Sequence, residues 1–250
     1  MRHLLGIDIG SYSSKGVLLD ETGTIRAMTQ RKHDMRVPEP GLAEHDALQD
    51  WWEGFRTLSM QLIVDSGINP AAIAAIGCSG IGPCALPVTE AGEPLRPAIL
   101  YGVDTRAEAE IEELNVELGA PALLARTGNS LTTQSVGPKV RWLAKQEPDT
   151  FSKTARIVGC PTFIVHRLTG QWVVDHYGAS CYTPFYDLAA KGWHRETIER
   201  ICPVEWLPEI AWTTEIVGLV STEAAAETGL SAGTPVVAGT IDAASEAISV

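Results

Sequence analysis

Several things are scarce in this sequence of 250 residues, and each scarcity excludes something. No run of about 18 apolar residues occurs, so no segment reads as a membrane-spanning helix. The opening Met-Arg-His-Leu-Leu has no long apolar signal core. Positive charge is short: 19 Lys and Arg stand against 31 Asp and Glu, a formal net charge of −12. That balance argues against nonspecific attraction to nucleic acid or an anionic membrane. The five cysteines are odd in number and scattered, with no C-x-x-C pair and no zinc spacing, so they read as reduced thiols, most of them buried. No G-x-x-x-x-G-K-[ST] is present, and "GCSGIG" does not match G-x-G-x-x-G, which removes a Walker loop and a dinucleotide fingerprint. The expectation is a soluble, cytoplasmic globular protein with room for a sizeable core.

What is there is ordered punctuation. Leu4–Ile9, Gly16–Leu19 and Thr24–Gln30 read as a β-meander, with "DETG" closing its second turn. After the loop "VPEPG", residues 44–67 predict an amphipathic helix carrying Leu48, Trp51, Trp52, Phe55, Leu58 and Leu62 at helical spacing. Asp46 with Gln49 reads as a variant capping box. Ile73–Gly80 reads as a buried strand with a glycine-rich end. Two strand segments flank "EAGE". Helices are expected at Thr105–Leu118, Gly137–Gln146 and Thr162–Leu168. "PVVAG" reads as a strand, followed by a helix after Asp242 that is still periodic at Val250, so the chain reads as the first domain of something longer. The order of elements indicates an α/β domain with a mixed sheet flanked by helices.

Two stretches carry candidate chemistry. In "GIDIGSYSSK" a strand ends in an acid. Asp8 is suited to Mg²⁺, which takes oxygen ligands, and Gly10 allows close approach of backbone amides to a phosphate. Ser11, Ser13 and Ser14 offer hydroxyls, and Lys15 a point charge. A polar β-turn with a solvated lysine is the plain alternative. In "AGTIDAASEA", Asp242 stands where a strand meets a helix. It is placed either to accept a proton from a substrate hydroxyl or simply to cap the helix.

With "LRPAILYGVDTRAEAE", "PKVRWLAKQEPDTF" and "HRLTGQWVVDHYGASCYTPFYDLAAKGW" lying between them in order, these two stretches resemble the FGGY carbohydrate kinase family. The resemblance spans essentially the whole chain. It implies an actin-like ATPase, ribonuclease H-like domain: the family's N-terminal sugar- and phosphate-binding part over residues 1–250, with a nucleotide-binding C-terminal domain absent from this chain. It implies ATP and Mg²⁺ as cofactors, a small sugar or polyol as substrate, and a possible homodimer. Position by position, Asp8 matches the acid near Mg²⁺ and the phosphates. Gly10, Ser11, Ser13, Ser14 and Lys15 fall in the first phosphate loop, where the family often has threonine at Ser11. Asp242 matches the catalytic base. Tyr101, Asp104 and Arg106 match the Trp-x-Asp-x-Arg segment beside the sugar, with one extra residue before Asp104.

The departures bear on substrate. Ile81-Gly82-Pro83 replaces the Gln-Met-His of xylulokinases and the Gln-Arg-Glu of glycerol kinases, so Gly82 and Pro83 offer the sugar only backbone. Ala243 stands where Asn or Gln is frequent. These changes argue against glycerol and leave D-xylulose as the first candidate, with ribulose or an erythritol-like polyol behind it. A nucleotide-switched, actin-like assembly protein is the alternative from another class. Asp175, His166, His176, His194 and the tryptophans are expected to be structural or solvated rather than catalytic.

Overall fold

The structure, a computed structural model, describes residues 2–249. Its main sheet has seven strands, six of them in the order Ile216–Leu219, Pro235–Val237, Ile73–Gly80, His3–Ile9, Ser13–Asp20, Ile25–Lys32. The seventh, Thr240–Ile241, pairs with Ile73–Gly80. His3–Ile9 and Ile73–Gly80 run parallel, as do Pro235–Val237 and Thr240–Ile241 against Ile73–Gly80, whereas the meander pairs are antiparallel. The sheet is therefore mixed, as expected.

Strand periodicity sorts the meander into two faces. Leu5, Ile7 and Ile9 are buried on one face, and Ser14 and Leu18 join them from the neighbouring strand. Asp8 and Lys15, direct partners across the antiparallel pair, lie on the other. The core face is covered by the helix Glu53–Ser66, through Phe55, Leu58 and Leu62, and by the helices Cys160–Thr169 and Thr222–Thr228. A second core gathers under the helices Glu108–Leu118, Ala120–Thr127 and Val136–Gln146 around Leu114, Leu123, Val140 and Phe185.

The helix predicted over 44–67 is divided. Glu44–His45 pairs with Ala98–Ile99 as a short strand, Ala47–Trp52 is π-helical, and only Glu53–Ser66 is α-helical. Asp46 caps as expected, accepting from the amides of Leu48 at 3.0 Å and Gln49 at 3.1 Å. The reciprocal group is Asp50, not Gln49: its Oδ2 accepts from the Asp46 amide at 2.7 Å. The wider π turn moves the returning side chain one residue along. The helix expected from Thr105 starts at Glu108, and the one expected over Thr162–Leu168 spans Cys160–Thr169. Two short helices, Ala120–Thr127 and Pro148–Lys153, escape the periodicity; both open on proline at the first or second position.

At the C-terminal end Pro235–Val237 and Thr240–Ile241 follow Ile73–Gly80 in the same direction, with a break in the pairing at Ala238 and Gly239. Gly239 sits there at φ +71°, and a Cβ on it would lie 2.1 Å from the Cys78 carbonyl oxygen. Gly233, at φ +84°, has open space around the same position. Gly233→Ala is expected to cost about 1 kcal/mol from conformation alone. Gly239→Ala adds a backbone collision and is expected to cost more than about 3 kcal/mol. Urea midpoints of the two variants measure the difference.

Candidate active site

Parallel register brings the two separated motifs together. Asp8 is opposite Ser79, and Ser79 is opposite Thr240, so three strand ends present these residues side by side. Ser79 Oγ donates to Asp8 Oδ1 at 2.8 Å, leaving Oδ2 without a protein donor among the described residues. Asp8, Lys15, Ser79, Thr240 and Ser245 line an open groove of about 670 Å³ on the face of the sheet away from the helix Glu53–Ser66. Ligands of open α/β sheets bind at such carboxyl ends of strands.

Asp242 opens the helix Asp242–Ile248 as its first residue, with Ile241 at the cap position, so it is not the N-cap. Its Oδ1 accepts from the Ala243 amide at 2.8 Å. Burial raises its pKa to about 6. The Ala243 hydrogen bond opposes that rise, and the negative charge of Asp8 adds to it. The two acids therefore share one electrostatic neighbourhood.

The polar turn after Asp8 is only partly as expected. Gly10 donates its amide to the Ser13 carbonyl at 3.0 Å and closes the turn carrying Ser11 and Ser13. Ser14 does not belong with them. It is fully buried on the opposite face, where a Cβ on Gly54 would lie 3.1 Å from its Oγ. The run "SYSSK" reads as one polar patch, but alternation sends Ser14 inward and Lys15 outward.

The sugar-side residues also divide. The side chains of Asp104 and Arg106 are 0% and 2% exposed and bond each other at 2.7 Å. Arg106 bonds Glu44 at 2.9 Å and lies over the Trp142 ring, while Asp104 accepts from the Ala43 amide at 2.7 Å. Arg96 also pairs with Glu44. This buried ion network anchors the Tyr101–Arg106 loop to the strand Glu44–His45. Gly82 and Pro83 are buried too, and Gly82 is pressed so close to Ile241 that a Cβ would lie 2.5 Å from Ile241 Cγ2. The pocket they line measures about 10 Å³, room for about one water and not for a sugar. Tyr101 is half-buried at the mouth of its loop.

Residues that the sequence did not single out complete the surroundings. Ser79 fixes Asp8 and sits in "GCSG", where glycines bracket a strand end. Lys139, 1% exposed, donates to the carbonyls of Thr133 and Ser135, and Thr133 Oγ1 donates to the Gly102 carbonyl at 2.9 Å. Burial lowers the Lys139 pKa to about 8. Asp175 is structural as expected, with Oδ1 accepting from the Gly178 amide and Oδ2 from Thr213 Oγ1, both at 2.8 Å. His166 stacks on Trp172 at 3.4 Å, and His176 bonds the Tyr186 hydroxyl at 2.8 Å rather than lying free in solvent. Four of the five cysteines are buried and all are free thiols.

The groove at the ends of the parallel strands thus carries one acid tied by a hydroxyl, with a second acid of raised pKa nearby. Residues 3–249 match the FGGY family of carbohydrate kinases, N-terminal domain, and the chain belongs to that family. A xylulose kinase from Rhodospirillum rubrum superimposes with a TM-score of 0.93 at 33% identity, covering 99% of this chain and 50% of that one. A glycerol kinase from Beutenbergia cavernae is 30% identical, covering 94% of this chain and 47% of its own. A xylulose kinase from Lactococcus lactis is 28% identical, covering 100% and 49%. The chain thus spans about half the length of the relatives it matches. The fold is that of an actin-like ATPase, and similarity alone does not choose between xylulose and glycerol.

Among the described residues there is no group of three or more His, Cys, Asp or Glu able to hold a metal ion. The single open oxygen of Asp8 fits Mg²⁺ all the same, because that ion keeps several waters and phosphate oxygens in its shell. No helix among the described residues is long and apolar enough to cross a membrane.

Two substitutions test this geometry. Arg106→Met leaves Asp104 buried without its partner and is expected to destabilise by about 3–5 kcal/mol, read from the urea midpoint. Asp242→Asn is expected to stabilise. The raised pKa means that the folded state disfavours the carboxylate at pH 7, and this penalty disappears as pH falls through about 6 towards 3.8, the ordinary value for an aspartate. The gain at pH 7 is on the order of 1–2 kcal/mol after solvent screening, shrinking to none near pH 4, as thermal melts across that range would reveal.

Proposed function

We propose that this chain is the sugar- and phosphate-side domain of an ATP-dependent kinase that phosphorylates a hydroxyl of a small ketose, with D-xylulose as first candidate. The observation that carries the proposal is that Asp8 and the Thr240–Ile241 strand leading into Asp242 flank Ser79 on either side, close enough for the charge of Asp8 to help raise the Asp242 pKa to about 6. The 33% identity to a xylulose kinase supports the ketose. Glycerol stands as the competing substrate because glycerol kinases are relatives at similar identity.

In this reading the Asp242 carboxylate accepts the proton of the sugar hydroxyl. The freed oxygen attacks the γ-phosphorus of ATP in line, and the bond to the β-phosphate oxygen breaks to release ADP. Bound Mg²⁺ would neutralise charge on the transferring phosphoryl group. Asp8, held by Ser79, supplies its protein ligand, and Lys15 adds positive charge from the adjacent strand. The Gly10–Ser13 turn offers backbone amides and the Ser11 and Ser13 hydroxyls to the phosphates. Asp104 and Arg106 serve the sugar indirectly, by holding the Tyr101 loop in place. The adenine pocket belongs to a second domain in the whole protein, and closure of the two domains excludes water from the phosphoryl group.

The test is ADP release by the full-length protein with a panel of pentuloses, hexuloses, glycerol and erythritol. Release is expected to depend on one sugar class, to fall by about 10³-fold or more in Asp242→Ala, and to decline below about pH 6 as the base takes up one proton. Sugar-independent release untouched by Asp242→Ala removes the kinase reading. Nucleotide-dependent light scattering in its place would favour an assembly protein.

A further inference from the structure

Beneath the phosphate turn lies a buried chain of rings that the proposed reaction does not use. Trp51 and His45 are both 0% exposed. Trp51 Nε1 lies 3.1 Å from His45 Nδ1, and His45 Nε2 lies 3.0 Å from the Ser11 carbonyl oxygen. An indole nitrogen can only donate, so Nδ1 must accept. The ring proton then sits on Nε2 and is donated to Ser11. The chemistry of the neighbours thus fixes the tautomer without reference to hydrogen positions. Burial acts in the same sense, lowering the His45 pKa to about 4 and keeping the ring neutral.

Both ends of this chain are braced. Trp51 belongs to the π turn Ala47–Trp52, which the Asp46–Asp50 exchange closes, and it packs edge-on against Phe163 at 6.0 Å. His33 stands edge-on to His45 at 5.2 Å, and its own amide donates to the Tyr12 carbonyl at 3.0 Å. The Ser11 and Tyr12 carbonyls are therefore both drawn to buried histidine residues. A trans peptide is planar with its C=O and N–H opposed. Pulling the Ser11 carbonyl towards His45 turns the Tyr12 N–H to the outer side of the turn, where it has no acceptor among the described residues.

We propose that His45, its tautomer locked by Trp51, is a positioning residue for phosphoryl transfer: by holding the Ser11 carbonyl it presets the Tyr12 amide as a donor to a nucleotide phosphate. The inference rests on the kinase reading and adds to it a residue that never touches substrate. Such supporting contacts are worth about 10–100-fold in affinity at comparable sites.

The test compares His45→Gln with His45→Asn in the full-length protein. Glutamine places an amide N–H where Nε2 was and keeps the bond to Ser11. Asparagine reaches only the Nδ1 position and keeps the bond from Trp51. Titration calorimetry with Mg²⁺ and ADP is expected to give near wild-type affinity for His45→Gln and about tenfold weaker binding for His45→Asn. The KM for the sugar should stay within about twofold in both. A merely structural role would lower the melting temperature without this split, and equal nucleotide affinities in the two variants overturn the inference. Two-bond ¹H–¹⁵N spectra of the wild-type protein give a readout independent of folding of the variants: a proton on Nδ1 of His45 overturns it as well. Wild-type protein that binds no nucleotide at all sinks the kinase reading itself, a result distinguishable from either of these.

Discussion

Parallel pairing of the strand Ile73–Gly80 with a strand from each end of the chain is the constraint on which the cleft depends. Hydrogen bonding between Ile73–Gly80, His3–Ile9 and Thr240–Ile241 fixes Asp8, Ser79 and Thr240 in one row. Because the three strands run the same way, the loops that follow them emerge at one edge. Asp242, two residues beyond Thr240, needs no further device to reach Asp8's neighbourhood. The 2.8 Å bond from Ser79 then holds one oxygen of Asp8 in place and leaves the other without a protein donor among the described residues. A slip of one residue in this register would turn Asp8 into the apolar core with Ile7 and Ile9, so the cost of misplacing the site is the cost of misfolding the sheet.

Much of this was legible in the sequence, and the physical reason is periodicity. Alternation over Leu4–Ile9 marked a half-buried strand, and the glycines around Cys78 and Ala238 marked where strands stop. The two acids were recognisable because each follows an apolar run and precedes a turn or a helix. What was not legible depended on partners distant in the chain. Ser14 looks like a phosphate ligand until the core packed behind it is known. Asp104 and Arg106 look like substrate contacts because they match the Trp-x-Asp-x-Arg segment of the resembling family. Their partner Glu44 lies sixty residues earlier, on a two-residue strand inside what periodicity reads as a helix. The π turn over Ala47–Trp52 was hidden for the same reason: its helical spacing is right, and only the Asp46–Asp50 bond shows the extra residue per turn.

The buried and half-buried charges of the chain fall into two kinds. Asp20, at the far end of the meander, accepts from Thr22, Thr24 and Arg26, and those bonds hold its carboxyl well below the usual carboxylate range. Asp104 is likewise matched by Arg106 and the Ala43 amide. Such groups are satisfied and serve the scaffold. Asp242, His45 and Lys139 are of the second kind. Burial moves each towards its neutral form, Asp242 upwards and the other two downwards.

Burial has different consequences for those three. Lys139 and His45 meet backbone carbonyls, Thr133 and Ser135 for one and Ser11 for the other, so their hydrogen bonds order the loops beside the cleft. Asp242 Oδ1 accepts from the Ala243 amide, and the side chain feels the charge of a second acid, Asp8. A carboxylate surrounded by donors is a poor base because its negative charge is already spent on them. One that is partly desolvated, weakly bonded and beside a second acid holds a proton more tightly and takes it more readily. The fold could have matched Asp242 as fully as it matches Asp20. It instead leaves that acid with the Ala243 amide and the charge of Asp8 nearby, which sets it apart from a satisfied helix-start aspartate and underlies its proposed role as base.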